Sequence, residues 1–301
     1  MNITGSDKIV DRAFWDCQNI ENINLPDSVE EIGEYAFYNN INLQTISLGS
    51  ELKYIRQFAF NGCGVLTVEI PSTIISIERS AFEGCLSLES VELEAQSQLE
   101  SLGERAFFNC QSLTDINLPN RIYEIRQGTF QECSSLTQIE LPSGLQYIRS
   151  LAFESSGLQS ISIPYTVQEI EFGAFRYNDN LANIDFDYEK SRLKTIGAES
   201  FLGCVSLQSV TIPQSVLEIV DKTFNDCISL KEVYILREFN NNEPSYLTKA
   251  TRLNTDEMFE NCHEDLTIYV PENNAGNSNG VEMYKNWFGW QAYADIIEAM
   301  P

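Results

Sequence analysis

The chain has 301 residues, 43% of them hydrophobic, so it can bury a core. Its 44 acidic residues outnumber 19 basic ones, giving a formal charge of −25. Such a surface repels phosphate backbones and anionic lipid, which argues against nucleic-acid or membrane-surface partners and suits a partner with a basic face. No run of 18 apolar residues reads as a membrane span. The first residues, Met1 to Phe14, lack the basic and apolar segments of a signal peptide.

Taken in chain order, the sequence repeats. A phenylalanine, usually after a small residue, recurs at Phe14, Phe37, Phe60, Phe82, Phe107, Phe130, Phe153, Phe175, Phe201, Phe224 and Phe259. Nearly constant spacing of this kind marks a stacked array. Around Phe130, Ile122 and Ile125 precede the anchor, and Cys133, Leu136, Ile139, Leu141 and Pro142 follow it. Segments such as 136–141 alternate inward and outward, which predicts a strand ended by proline. Segments such as 122–125 predict a second short extended piece. The stretch from anchor to cysteine is too short for a full helix and predicts one helical or 3-10 turn. One unit cannot bury its apolar side alone, but stacked units can, with their strands in parallel.

Two longer units carry Glu94–Leu99 and Asp187–Leu193 in place of the proline turn. The step of 35 before Phe259 holds an insertion within 237–256. The insertion brings Arg237, Lys249 and Arg252, a local excess of cations on what reads as a surface loop. Residues 1–271 therefore form the repeat array, and 272–301 a terminal loop and cap. In the cap, residues 281–299 read as a helix with Tyr284, Trp287, Phe288, Tyr293, Ile296 and Ile297 on its apolar side. No comparable cap precedes Ile9, so the array is expected to begin inside a longer one.

The motif L-x-x-I-x-L-P-x-x-V-x-x-I-x-x-x-A-F-x-x-C, as in Leu113 to Cys133, resembles the BspA-like class of leucine-rich repeat proteins. The resemblance covers nearly the whole chain. It implies a right-handed leucine-rich-repeat-like solenoid, with parallel strands on one face and short extended or 3-10 segments on the other. It also implies a cell-surface or secreted protein with an adhesive role toward host or matrix proteins.

Two outward strand columns flank each inward Ile or Val. Together they hold six carboxylates and neither lysine nor arginine. The residues expected to bind a protein partner on this face are Glu69, Glu92, Asp115, Asn117, Glu140, Asp185, Tyr234 and Tyr269. Arginines collect instead just before the anchors, at Arg12, Arg56, Arg79, Arg105, Arg126 and Arg149.

All eight cysteines sit three residues after an anchor, which predicts buried free thiols packing into a tight turn. Stacked coils could also bring two sulfurs within disulfide reach. No Cys-x-x-Cys pair points to zinc. The only histidine, His263, follows Cys262; adjacent side chains point apart, so no nucleophile–base pair is expected. With no catalytic motif present, the reading is a non-enzymatic interaction module without cofactor or metal. The alternative is a structural spacer that presents another domain.

Overall fold

A computed structural model describes residues 7–237, 252–253, 257–272, 280–286 and 290–301. Lys249 and most of the 237–256 insertion lie outside the described residues, as do Trp287 and Phe288 of the C-terminal segment. The chain divides into two compact units, one of residues 1–145 and 151–158, the other of 146–150 and 159–301.

Each unit is a parallel-strand solenoid. In the first, Asn22–Asn24, Thr45–Ser47, Thr67–Ile70, Ser90–Leu93 and Asp115–Ile116 form a five-stranded sheet. A second five-stranded sheet joins Lys8–Ile9, Glu31–Ile32, Tyr54–Ile55, Ser76–Ile77 and Ser101–Leu102. Strands of two to four residues are not stable alone; pairing with the adjacent coils satisfies their backbone groups. Register advances by one repeat, so Val68 faces Val91 and Glu69 faces Glu92. Pleating sends Val68, Val91 and Ile116 inward and turns their neighbours outward.

In the second unit Ser160–Ile163 pairs with Asn183–Phe186. A four-stranded sheet follows, made of Ser209–Ile212, Glu232–Ile235, Thr267–Val270 and Ile297–Ala299. The short strands there are Tyr147–Ile148, Glu169–Ile170, Thr195–Ile196, Glu218–Ile219 and Arg252–Leu253.

The anchor phenylalanines stack as an internal column. Within the first unit neighbouring rings lie 5.1–5.7 Å apart and within 13° of parallel. Phe175, Phe201, Phe224 and Phe259 repeat the arrangement in the second unit. The residue before the anchor is usually a small, fully buried one such as Ala59 or Ala81, and its carbonyl accepts from the preceding coil: Phe37 N–H donates to Ala59 O, and Phe60 N–H to Ala81 O, both at 2.8 Å.

Three expectations are corrected. The anchor segments are stacked turns, not 3-10 turns. Residues two before and two after the anchor take the left-handed conformation, as at Tyr35 and Asn39 (φ 55° and 58°) or Arg105 and Asn109 (φ 55° and 57°). Non-glycine residues seldom occupy that region. Here Tyr35 and Asn39 each donate an N–H to the next coil, at Gln57 O and Asn61 O, and this inter-coil ladder offsets the local cost. Second, residues 136–141 carry no strand, although Leu136 and Leu141 are buried. Alternation assigns side chains to faces, but a strand also needs ladder hydrogen bonds.

Third, the C-terminal segment is not one helix to Ala299. It is a short α-helix, Gly280–Lys285, a 3-10 turn, Gln291–Ile296, and a strand, Ile297–Ala299. The strand covers the open edge of Thr267–Val270, with Ile268 facing Ile297 and Val270 facing Ala299. Fully buried Tyr284 and Trp290 meet edge to face at 5.4 Å beneath it. The Tyr293 hydroxyl accepts the Met258 N–H at 2.9 Å.

Candidate functional site: the polar strand face

Inward β-branched residues hold the sheet, so every second strand residue is free to face solvent. In the first unit Glu69, Glu92 and Asp115 lie on strands and are exposed. Asn117 is exposed just beyond Asp115–Ile116, and Glu140 is exposed outside any strand. Glu69 and Glu92 stand opposite each other in register. None of Glu69, Glu92, Asp115 or Glu140 has an ion-pair partner among the described residues.

An open depression of about 300 Å³ lies beside Glu69, walled by Thr45, Ser47, Thr67, Asp27 and Glu94. Two of its three carboxylates are structural: Glu94 accepts the Ser72 N–H at 2.8 Å and Asp27 the Ser50 N–H at 3.2 Å. Among the described residues no group of three His, Cys, Asp or Glu could hold a metal ion.

In the second unit Asp185 is exposed on its strand and accepts the Ser162 hydroxyl at 3.4 Å. Tyr234 and Tyr269, opposite each other in register, stack at 4.9 Å. The Tyr234 hydroxyl donates to Glu232 at 3.2 Å. Partial burial and the neighbouring Glu232 carboxylate push the Tyr234 hydroxyl above its usual range. Arg237 follows the Glu232–Ile235 strand and donates to Gln214 O at 3.1 Å. Arg252 lies in a strand paired with Glu218–Ile219 and not in the inserted loop.

The cations have been drawn to the other side of the coils. Arg56 bridges Glu31 and Glu78, at 2.6 Å each, and Lys8 joins Glu31 at 2.6 Å. The Arg56 guanidinium, hydrogen-bonded to Glu31, holds that carboxyl below its usual range. Arg105 pairs with Glu83, Arg126 with Glu124, Arg149 with Glu171 and Arg176 with Glu199. Tyr54 and Tyr147 support Arg56 and Arg149 through ring–cation contacts of 4.6 and 4.4 Å. These pairs leave the strand columns with negative charge alone.

One surface escaped the sequence reading. Trp15, Tyr35, Tyr38 and Phe58 form a partly exposed cluster with centroid separations of 4.6–5.6 Å. Arg12 lies over Trp15 and Tyr35. The signal was present in the positions two before and one after the anchor, at least one of which is aromatic in each of three consecutive coils: Trp15, then Tyr35 and Tyr38, then Phe58.

The cysteine column is accounted for by the fold. Cys63, Cys85, Cys110 and Cys133 each donate a thiol proton to the anchor carbonyl one coil back, at 2.9–3.1 Å. Asn40 takes the same place and donates to Phe14 O and Phe37 O. Cys262 donates to Phe224 O, while His263 Nδ1 accepts the Asp265 N–H. No helix of the described residues is long and apolar enough to cross a membrane.

Stacked coils, an internal phenylalanine column and short parallel strands define a leucine-rich-repeat solenoid. The sequence pattern described as BspA type leucine rich repeat region matches residues 7–113, 55–182, 100–231 and 158–275, and the chain belongs to that family. No curated protein matches the chain. Among solved structures it is similar to a leucine-rich repeat protein from Bacteroides ovatus. That likeness has 23% identity over 98% of this chain and 87% of the other, with a TM-score of 0.51, and concerns the fold alone. It is also similar to a leucine rich cell surface protein from Faecalibacterium prausnitzii, 24% identical over 98% and 86% of the two chains, with a TM-score of 0.45.

Proposed function

We propose that this chain is a non-enzymatic protein-interaction module whose strand face receives a partner with a basic surface. The supporting observation is the sorting of charge. Arg56, Arg105, Arg126 and Arg149 on the anchor side are matched by glutamates, whereas among the described residues Glu69, Glu92, Asp115 and Glu140 have no ion-pair partner. Unmatched surface carboxylates steer a basic partner and fix its register more than they set raw affinity. Ser47, Thr45 and Thr67 supply hydrogen bonding between the charges. On this reading the module works at the cell surface or outside the cell as an adhesin for host or matrix proteins, which its membership of the BspA type repeat family supports.

The test is surface plasmon resonance against a panel of host matrix proteins at several salt concentrations. Glu69→Lys, Glu92→Lys and Glu140→Lys together should weaken binding and flatten its salt dependence. Unchanged affinity would remove the strand face from consideration.

A further inference from the structure

Among the described residues the stacked tyrosines are where aromatic surface and carboxylates share a column of the strand face. One face of the Tyr234 ring is taken by Tyr269, at 4.9 Å. On its other side the register partner is Thr211, too short to offer a ring. Asp185 holds the same outward column one coil before Thr211. The outward column therefore reads carboxylate, short hydroxyl, aromatic face, and Thr211 and Tyr234 are both half-buried. Glu232 is exposed beside the ring and is oriented by the Tyr234 hydroxyl.

We propose that the gap over Thr211 is a slot for an arginine side chain of an extended segment of the partner. This rests on the strand-face reading and locates its anchor. A guanidinium laid on the free face of Tyr234 would sit above Thr211, inside the roughly 6 Å range of a ring–cation contact. Its in-plane N–H groups would then reach sideways toward Glu232, which stands beside the ring, while Asp185, further along the column, adds negative charge behind the stacked face. Arginine fits better than lysine because it is planar, stacks on a ring and forks toward carboxylates. The chemistry is non-covalent throughout: a surface cation exchanges part of its hydration for a ring face and charge-assisted hydrogen bonds.

Isothermal titration of the full chain with an Arg-Gly repeat peptide, and with its Lys-Gly and Gln-Gly counterparts, tests the slot. Expected are binding of the Arg-Gly peptide, weaker binding of Lys-Gly and none of Gln-Gly. Tyr234→Ala should weaken Arg-Gly binding about fivefold, whereas Tyr234→Phe, which keeps the ring, should lose less. Thr211→Leu, which fills the slot without touching the tyrosines, should weaken it similarly and serves as the check if Tyr234→Ala misfolds. Arg-Gly affinity unchanged from the wild-type chain in both Tyr234→Ala and Thr211→Leu overturns the slot. If Glu69→Lys with Glu92→Lys still weakens matrix-protein binding in that case, the strand-face reading stands without it. If those reversals also have no effect, both readings fall.

Discussion

The thiol of Cys85 donates to the main-chain carbonyl of Phe60, one coil earlier, at 3.1 Å. The cysteine column is thus a row of side-chain donors that tie one coil to the next, beside the phenylalanine column that packs them. Cys85→Ala should cost about 1–3 kcal/mol, from the lost donor and the small cavity left behind. Cys85→Ser keeps a donor in nearly the same place and should cost less than the alanine change. Urea denaturation of the three proteins measures the order, and equal losses for Ser and Ala would assign the role to packing alone.

Alkaline pH should unfold the protein through these thiols. Burial pushes Cys63, Cys133, Cys204 and Cys262 up to about 12, and raises Cys85, Cys110 and Cys227 well above their ordinary value. An unfolded thiol ionises near about pH 8.5. Below that, both states hold the proton and the thiols add no pH dependence. Above it, the unfolded chain loses protons that the folded chain keeps, so stability falls as pH rises toward about 12. The slope is about 1.4 kcal/mol per pH unit for each thiol involved. Denaturation midpoints taken from pH 8 to pH 11 should decline, and Cys133→Ser should make the decline shallower. A flat profile would contradict the burial of the column.

The phenylalanine column should show an end effect. Phe107 is fully buried and stacks on Phe82 at 5.5 Å and Phe130 at 5.7 Å. Phe14 is half-buried and stacks on Phe37 at 5.1 Å. Phe107→Ala should cost about 3–5 kcal/mol. Phe14→Ala should cost clearly less, because less of its ring leaves water on folding. The comparison needs only two urea titrations, and a Phe14→Ala loss as large as that of Phe107→Ala would refute it.

Charge reversal on the strand face should separate binding from stability. Glu69 and Glu92 face each other in register, and like charges across a strand pair destabilise it. Glu92→Lys turns that repulsion into attraction and should raise stability by about 0.2–1 kcal/mol at low salt. The same substitution should weaken a basic partner. A thermal melt read beside a binding titration shows whether the two quantities move in opposite directions.

The repeat, the anchor phenylalanines, the inward Ile and Val ladder and the cysteine column were all legible in the sequence. They rest on apolar spacing, which each coil states in its own residues and repeats in the next. The charge split was legible too, because outward strand positions are set by the two-residue pleat. What the tertiary structure decided are features that need a neighbouring coil. Tyr35 and Asn39 adopt left-handed backbone because their N–H groups find Gln57 O and Asn61 O in the following coil. Residues 136–141 alternate like a strand and are not one, because alternation carries no information on ladder bonds. Ile297–Ala299 reads as the end of an amphipathic helix, yet it becomes a strand because the edge of Thr267–Val270 presents unpaired backbone groups beside it. The placing of Tyr234 between Thr211 on one side and Tyr269 on the other likewise needs three coils brought into register. Local spacing determines which residues face inward, whereas contacts across coils determine the backbone conformation and the surface that the outward residues build.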